Sequence, residues 1–173
     1  MCSMNKVPFR IGQSRDIHRL EENGRTLILG GVKLPFYKGP VSHSDGDCLY
    51  HAIGEALLGA LAKGDLGKLF PDNDARYKDF DSSLIIKEIM KIVKEEGYEV
   101  NNIDSSIILE KPKLAPYIEE MRNNVASLLE CDKECVSIKA QTNEKCGEVG
   151  KEEAVECQAI VVLKMKYLSI IGK

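Results

Sequence analysis

Apolar residues along the chain follow two spacings, every second position and every third or fourth, and these alternate from one segment to the next. FRIGQSRDIH reads as an opening strand. TLILGGVKLPF holds two short apolar runs around Gly30 and Gly31, the signal of a hairpin. DCLYHAIGEALLGALAKG follows a helical pattern that stops at Gly64. DSSLIIKEIMKIVKEEG is a clearer helix: Asp81 or Ser82 offers the N-cap, Leu84, Ile85, Ile89, Ile92 and Val93 form the buried stripe, and Gly97 ends it. VNNIDSSIILE then reads as a strand, APYIEEMRNNVASLLEC as a helix begun near Pro116, and VSIKAQT as a strand. AVECQAIVVLKM, the most β-branched segment, is the last strand.

Interleaving of this kind predicts an α/β (α+β) class: a small mixed β-sheet with helices packed on one face. At 173 residues, with 43% hydrophobic and 29% charged positions, the chain has the size and composition of one soluble globular domain. No repeat, low-complexity tract or linker divides it, so a single domain over 1–173 is expected, with residues 1–8 as a flexible N-terminal extension. A net charge of −3 argues against a nucleic-acid binder, and no apolar run approaches the roughly 18 residues of a membrane span. The six cysteines, at positions 2, 48, 131, 135, 146 and 157, include no C-x-x-C pair and are expected to be reduced structural thiols.

The three histidines, His18, His43 and His51, all fall in the first third of the chain, in RDIH and HSDGDCLYH. On a strand, Asp16 and His18 point to the same side. On a helix, Asp47, His51 and Glu55 would line up as one polar stripe. Two imidazoles and a carboxylate make a set suited to zinc, with a fourth position left open as in catalytic sites. The other reading of the same residues is a group of histidines tied by local hydrogen bonds. In HSDGD, Asp45 and Gly46 supply a turn and Asp47 caps the next helix. His43 and Ser44, just before a helix N-terminus, would hold an anion or would simply be part of a capping loop. Further on, the two prolines of LEKPKLAP bracket Lys113 and stiffen a loop able to present backbone groups to a flat ligand.

The ordered series RIG…DIH, GGVKLPFYKG, HSDGDCLYHAIGEALLGA, GDLGKLFPDND, KPKLAPYI and KAQTNEK resembles the 2-C-methyl-D-erythritol 2,4-cyclodiphosphate synthase family, from about Arg10 to Lys166. The resemblance implies a homotrimer with active sites between neighbouring subunits. It also implies a cytidine diphosphate substrate, 4-diphosphocytidyl-2-C-methyl-D-erythritol 2-phosphate, whose 2-phosphate attacks the β-phosphorus to give the cyclic diphosphate and CMP. The metal ligands it implies are Asp16, His18 and His51 for one Zn2+ per subunit, and Glu144 for Mg2+ or Mn2+ bridging the substrate phosphates. His43 and Thr142 are then the catalytic residues that steady the phosphates, with Ser44 beside His43, and Ile17, Ser44 and Lys151 are among the substrate-binding residues. Leu109, Glu110, Lys111, Pro112, Lys113, Leu114 and Ala115 match the cytidine-side loop, together with Gln141 and Asn143. Asp65, Leu66, Gly67, Phe70, Pro71, Asp72, Asn73 and Asp74 match the segments near the methylerythritol.

Two departures accompany the match. GQSR stands where the family has Gly-His-Gly-Phe before the first metal motif. EVGKEEA stands for FTGRGEG, which places Glu148 at an aromatic position and Lys151 at an arginine, toward the trimer's central cavity; lysine keeps the charge and loses the bidentate geometry. Two other classes share parts of the pattern: a zinc-dependent phosphoesterase acting on a CDP-alcohol, and a nucleotide- or metal-binding module without turnover. Neither needs the metal set, the phosphate loop and the KPKLAP loop together. The start MCSMNKVPFR lacks the apolar core of a secretory signal, and the expected setting is a bacterial cytoplasm or a plastid-type organelle, a targeting segment having been removed in the latter case.

Overall fold

A five-stranded mixed sheet carries its long helices on one face and leaves most of the other open. The computed structural model describes residues 7–70 and 80–166. In chain order the elements are β1 (Phe9–Glu21), β2 (Ile28–Leu29), β3 (Val32–Lys33), β4 (Gly39–Pro40), α1 (Cys48–Ala60), α2 (Leu66–Leu69), α3 (Ser82–Glu95), β5 (Tyr98–Ile108), α4 (Ile118–Leu129), β6 (Val136–Gln141), α5 (Gly147–Gly150) and β7 (Ala154–Met165). The main sheet runs β4-β1-β7-β5-β6, and β2 and β3 form a separate hairpin. Within it β1 and β5 lie antiparallel to β7, whereas β5 and β6 are parallel. A parallel pair needs a crossover, and α4 supplies it.

Period-two patterning sets the two faces. Along β7, Val155, Cys157, Ala159, Val161 and Leu163 are buried, and Gln158 and Ile160 between them are exposed. The register continues the buried face into Gly12, Ser14, Asp16 and His18 of β1 and into Ile103, Ser105 and Ile107 of β5. Helix α1 lies on β1 and β7 so closely that a Cβ at Gly12 would sit 1.8 Å from the Ala56 carbonyl oxygen. Glycine is required there for contact, not for its backbone angles. In the hairpin the requirement is conformational: Gly30 and Gly31 both have positive φ, as a tight two-residue turn demands.

Several expectations are corrected. On α3, Leu84 is exposed and Ile92 only partly buried; Ile86 and Met90 join Ile85, Ile89 and Val93 in the core. Asp81, not Ser82, is the N-cap, accepting from the Ser83 N–H. The short β4, α2 and α5 carry too few residues to show a period. Val7 and Pro8, expected in a flexible extension, are tied to the sheet: the Tyr98 hydroxyl donates to the Val7 carbonyl and Met165 N–H to that of Pro8. Cys48, Cys131, Cys135, Cys146 and Cys157 are free thiols, as expected. Among the described residues no helix is long and apolar enough to cross a membrane.

Candidate metal centre and its surroundings

Strand β1 turns Asp16 and His18 toward α1, and the first turn of α1 brings His51 to meet them. The three ligand atoms, Asp16 Oδ2, His18 Nε2 and His51 Nδ1, stand 3.0, 3.2 and 3.4 Å from one another. Three ligands about 2 Å from one tetrahedral centre lie roughly 3.3 Å apart, so the spacing fits a small divalent ion. Among the described residues this is the group of acids, histidines and cysteines close enough to hold a metal.

Hydrogen bonds on the far side of each ring say where the lone pairs point. His18 Nδ1 lies 3.0 Å from the Gly46 carbonyl oxygen, which only accepts, so that nitrogen carries the hydrogen and Nε2 presents a lone pair. Asp16 Oδ2 is buried without a hydrogen-bond partner even though His18 Nε2 is 3.0 Å away. Two lone pairs at that distance repel, and a cation between them removes the conflict; the donor set therefore fits a metal. Without one, the site draws in a proton instead. Burial favours neutral groups here, but contact with Asp16 outweighs it and holds the His18 ring above its ordinary pKa. Burial likewise opposes the Asp16 charge, but the His18 and His51 rings beside it, positively charged when protonated, overcome it and keep the carboxyl far below the usual range.

The centre opens into a cavity of about 590 Å³. Of the residues expected at the site, His43, Ser44, Leu66, Gly67 and Phe70 also line it, as does Glu55. Glu55 accepts from the Leu66 N–H and so ties α2 to α1; burial raises its carboxyl above the ordinary value. Asp65 is exposed and caps α2 by accepting from Lys68 N–H. Ile17 contributes only its backbone N–H, donated to Asp16 Oδ1, because its side chain is on the opposite face of the strand. Pro71, Asp72, Asn73 and Asp74 lie outside the described residues.

Asp47 does not join the polar stripe expected with His51 and Glu55. As N-cap it has extended backbone angles and stands off the helical progression. Its fully buried carboxylate accepts from Gly30, Gly31 and Tyr50 N–H groups, which anchors the glycine hairpin to the start of α1. Burial nevertheless pushes its carboxyl up to about 6.

The remaining expected residues form a second group at the far edge of the sheet. Nothing from 109–115 or 141–144 lines the metal cavity. The Asp16 position on β1 is followed across the sheet by Cys157, Ile107 and Ala140, so β6 is three strand spacings away, roughly 14 Å. Glu110 accepts from the Asn143 and Lys145 N–H groups and Lys111 pairs with Glu152, holding the proline loop to its neighbours. Thr142 donates to Glu144, which does not join the Asp16–His18–His51 group. Leu109 and Leu114 bury their side chains, leaving their backbones as the groups on offer, whereas Lys113, Ala115 and Gln141 are exposed. Lys151 is exposed beyond α5, and Glu148 lines an open cleft with Ile17 and Arg19.

A family model, the YgbB family, matches residues 9–164. The chain belongs to this family. Proteins named 2-C-methyl-D-erythritol 2,4-cyclodiphosphate synthase match it closely: that of Geobacillus sp. (strain WCH70) is 52% identical over 91% of this chain and 99% of its own. That of Bacillus cereus (strain ATCC 10987 / NRS 248) is 49% identical with the same coverage. Among solved structures, the Plasmodium falciparum IspF in complex with CDP superposes with a TM-score of 0.82 at 34% identity, over 94% of this chain and 99% of that one. The bifunctional IspDF of Campylobacter jejuni gives 0.87 at 36%, over 92% of this chain but 43% of that larger one.

Two residues that build the centre, Ser82 and Asp45, carried no such signal in the sequence. Ser82 is 31 positions from His51, and only the packing of α3 beside α1 brings them together.

Proposed function

We propose that this member of the YgbB family is a 2-C-methyl-D-erythritol 2,4-cyclodiphosphate synthase, a phosphorus–oxygen lyase of non-mevalonate isoprenoid biosynthesis. The observation that carries the reading is the convergence of Asp16, His18 and His51 beside the His43–Ser44 loop, in a chain about half identical to proteins of that name. The substrate is 4-diphosphocytidyl-2-C-methyl-D-erythritol 2-phosphate. An oxygen of its 2-phosphate bonds to the β-phosphorus, the bond from that phosphorus to the bridging oxygen breaks, and CMP leaves with the electron pair. No proton is lost or gained at the reacting atoms, so a general base is not required.

Asp16, His18 and His51 would hold Zn2+, and Glu144 would help to hold Mg2+ or Mn2+; bound there, the ions supply positive charge that neutralises and aligns the phosphate oxygens. Without such charge, two phosphates approaching in a water-poor cleft repel strongly. His43 and Thr142 steady the phosphates from the two halves of the site. Lys113 and the backbone of 109–115 face the cytidine. The catalytic work of the chain is then positioning and charge stabilisation. In one subunit these halves lie at opposite edges of the sheet, which favours a homotrimer whose sites form between copies. The open sheet face supports the same assembly, since Phe9, Ile11, Ile17 and Ile160 are exposed on it.

Phosphorus NMR of the product from purified protein, substrate, zinc and magnesium tests the reading. Coupled signals of a cyclic diphosphate plus CMP are expected. Linear phosphates would mean hydrolysis, the outcome of a phosphoesterase, and unchanged substrate would mean a binding module.

A further inference from the structure

The metal centre rests on a support that the ligand set alone does not specify. His51 Nε2, the ring nitrogen turned away from Asp16, lies 3.0 Å from Ser82 Oγ, at the start of α3. Ser82 is completely buried. Its hydroxyl donates to Asp45 Oδ1, and its backbone N–H donates to Asp45 Oδ2 at 3.0 Å. Asp45 is itself fixed from the turn side, where Asp47 N–H donates to its Oδ1 and its own N–H donates to the Phe80 carbonyl.

A serine hydroxyl has one hydrogen. Spent on the Asp45 carboxylate, it leaves Ser82 Oγ able only to accept from His51. Nε2 must then carry the ring hydrogen, and the Nδ1 lone pair is left facing Asp16 and His18. A second hydroxyl, Ser44 Oγ, lies 3.3 Å from Nε2, but it also has Ser42 Oγ within 3.2 Å to receive its hydrogen, so it does not force the opposite arrangement.

We propose that Asp45, acting through the Ser82 hydroxyl, is a positioning residue that fixes the His51 ring with hydrogen on Nε2 and so sets how tightly the centre holds a divalent metal ion. The inference deepens the proposed function, since it rests on the metal site of that reading. Together with the Gly46 carbonyl on His18, it makes the turn between His43 and Asp47 the element that orients both imidazoles. The turn is thereby tied to α3, and loss of the Asp45–Ser82 contact would free the His51 ring without touching any ligand atom.

Nitrogen-15 NMR of the metal-free wild-type protein at mildly alkaline pH reads the tautomer directly. The expected result is a protonated Nε2 and an unprotonated Nδ1 on His51; hydrogen on Nδ1, or an even mixture, overturns the proposal whether or not any variant folds. In Ser82→Ala the preference is expected to relax toward a mixture, with zinc held about 10- to 100-fold more weakly in competition with a chelator, the usual cost of losing such a partner. Asp45→Asn tests the same chain by weakening the hold on the Ser82 hydrogen. Folded variants with wild-type tautomer and wild-type zinc affinity would contradict the proposal. A protein that passes these tests but makes no cyclic diphosphate would overturn the synthase reading alone.

Discussion

Asp16 on β1 and Asp47 at the N-cap of α1 stand on neighbouring elements, and their surroundings push their carboxyls in opposite directions. Burial raises Asp47 to about 6 against the pull of the Gly31, Tyr50 and Gly30 N–H groups, so between about pH 4 and 6 the folded chain binds more protons there than the unfolded one. That contribution to stability falls as pH rises through the window. His18, raised by Asp16 against burial, has the same sign: its contribution is full below the unfolded value of about 6.5 and is lost as pH rises through the folded one. Glu55, raised by burial, adds to the trend. The depressed Asp16 opposes it only at lower pH, where that carboxyl titrates. Metal-free protein is therefore expected to melt at a higher temperature near about pH 5.5 than near about pH 8. Zinc binding needs a charged Asp16 and neutral imidazoles, so the stabilisation added by zinc should grow over the same range. Melting curves with and without zinc check both slopes; parallel curves would mean that the metal does not compete for these protons. His51→Ala should stay folded, lose zinc and lose about 100-fold or more in turnover. A full complement of zinc in that variant would remove His51 from the ligand set.

At the scale of elements, the β1–α1 contact positions the centre, and Gly12 is its closest point. Gly12→Val would drive a side chain into the Ala56 carbonyl, and backbone on both sides leaves little room to yield. The expected loss is about 4 kcal/mol or more, measurable by chemical denaturation; a variant within about 1 kcal/mol of wild type would show that α1 shifts freely on the strand. The proline loop makes a separate prediction. CMP should bind more tightly than UMP by roughly 1–3 kcal/mol, since uracil would leave groups that pair with the cytosine amino edge unmet. Equal affinities in calorimetry would deny this loop a base-reading role. The same elements show what the sequence could disclose. Asp16 and His18 were legible because a strand alternates, and His51 because its motif lies on a long apolar helix. Asp47 was misplaced because the helix begins one residue later, and a cap follows no helical period. Leu84 was misread for a related reason: in SSLIIKEIMK two adjacent stripes are apolar, and tertiary contact selects the one through Ile86 and Met90. Nothing local announces Ser82, whose partner lies on another helix.

On the scale of the whole molecule, the apolar residues of the last strand divide between the core and the outer face of the sheet. Val155, Val161 and Leu163 are core; Ile160 and the half-buried Val162 take the outer face, beside Ile11. Charges placed at Ile11 and Ile160 should therefore separate the proposed trimer in sedimentation while the chain keeps its fold and its capacity to bind zinc. In the proposed reading activity should fall with the trimer, because the metal residues and the proposed cytidine loop lie at opposite edges of one chain's sheet. A fully active monomer would refute this. The most direct test mixes two inactive variants, His51→Ala and Lys113→Glu, and lets subunits exchange. With random exchange at equal amounts, a site between neighbours inherits both intact halves about one time in four, so activity should return to roughly one-quarter of that of wild-type protein treated identically. Mixtures that remain inactive while the wild-type control recovers would contradict the account, and would place a complete site within each subunit.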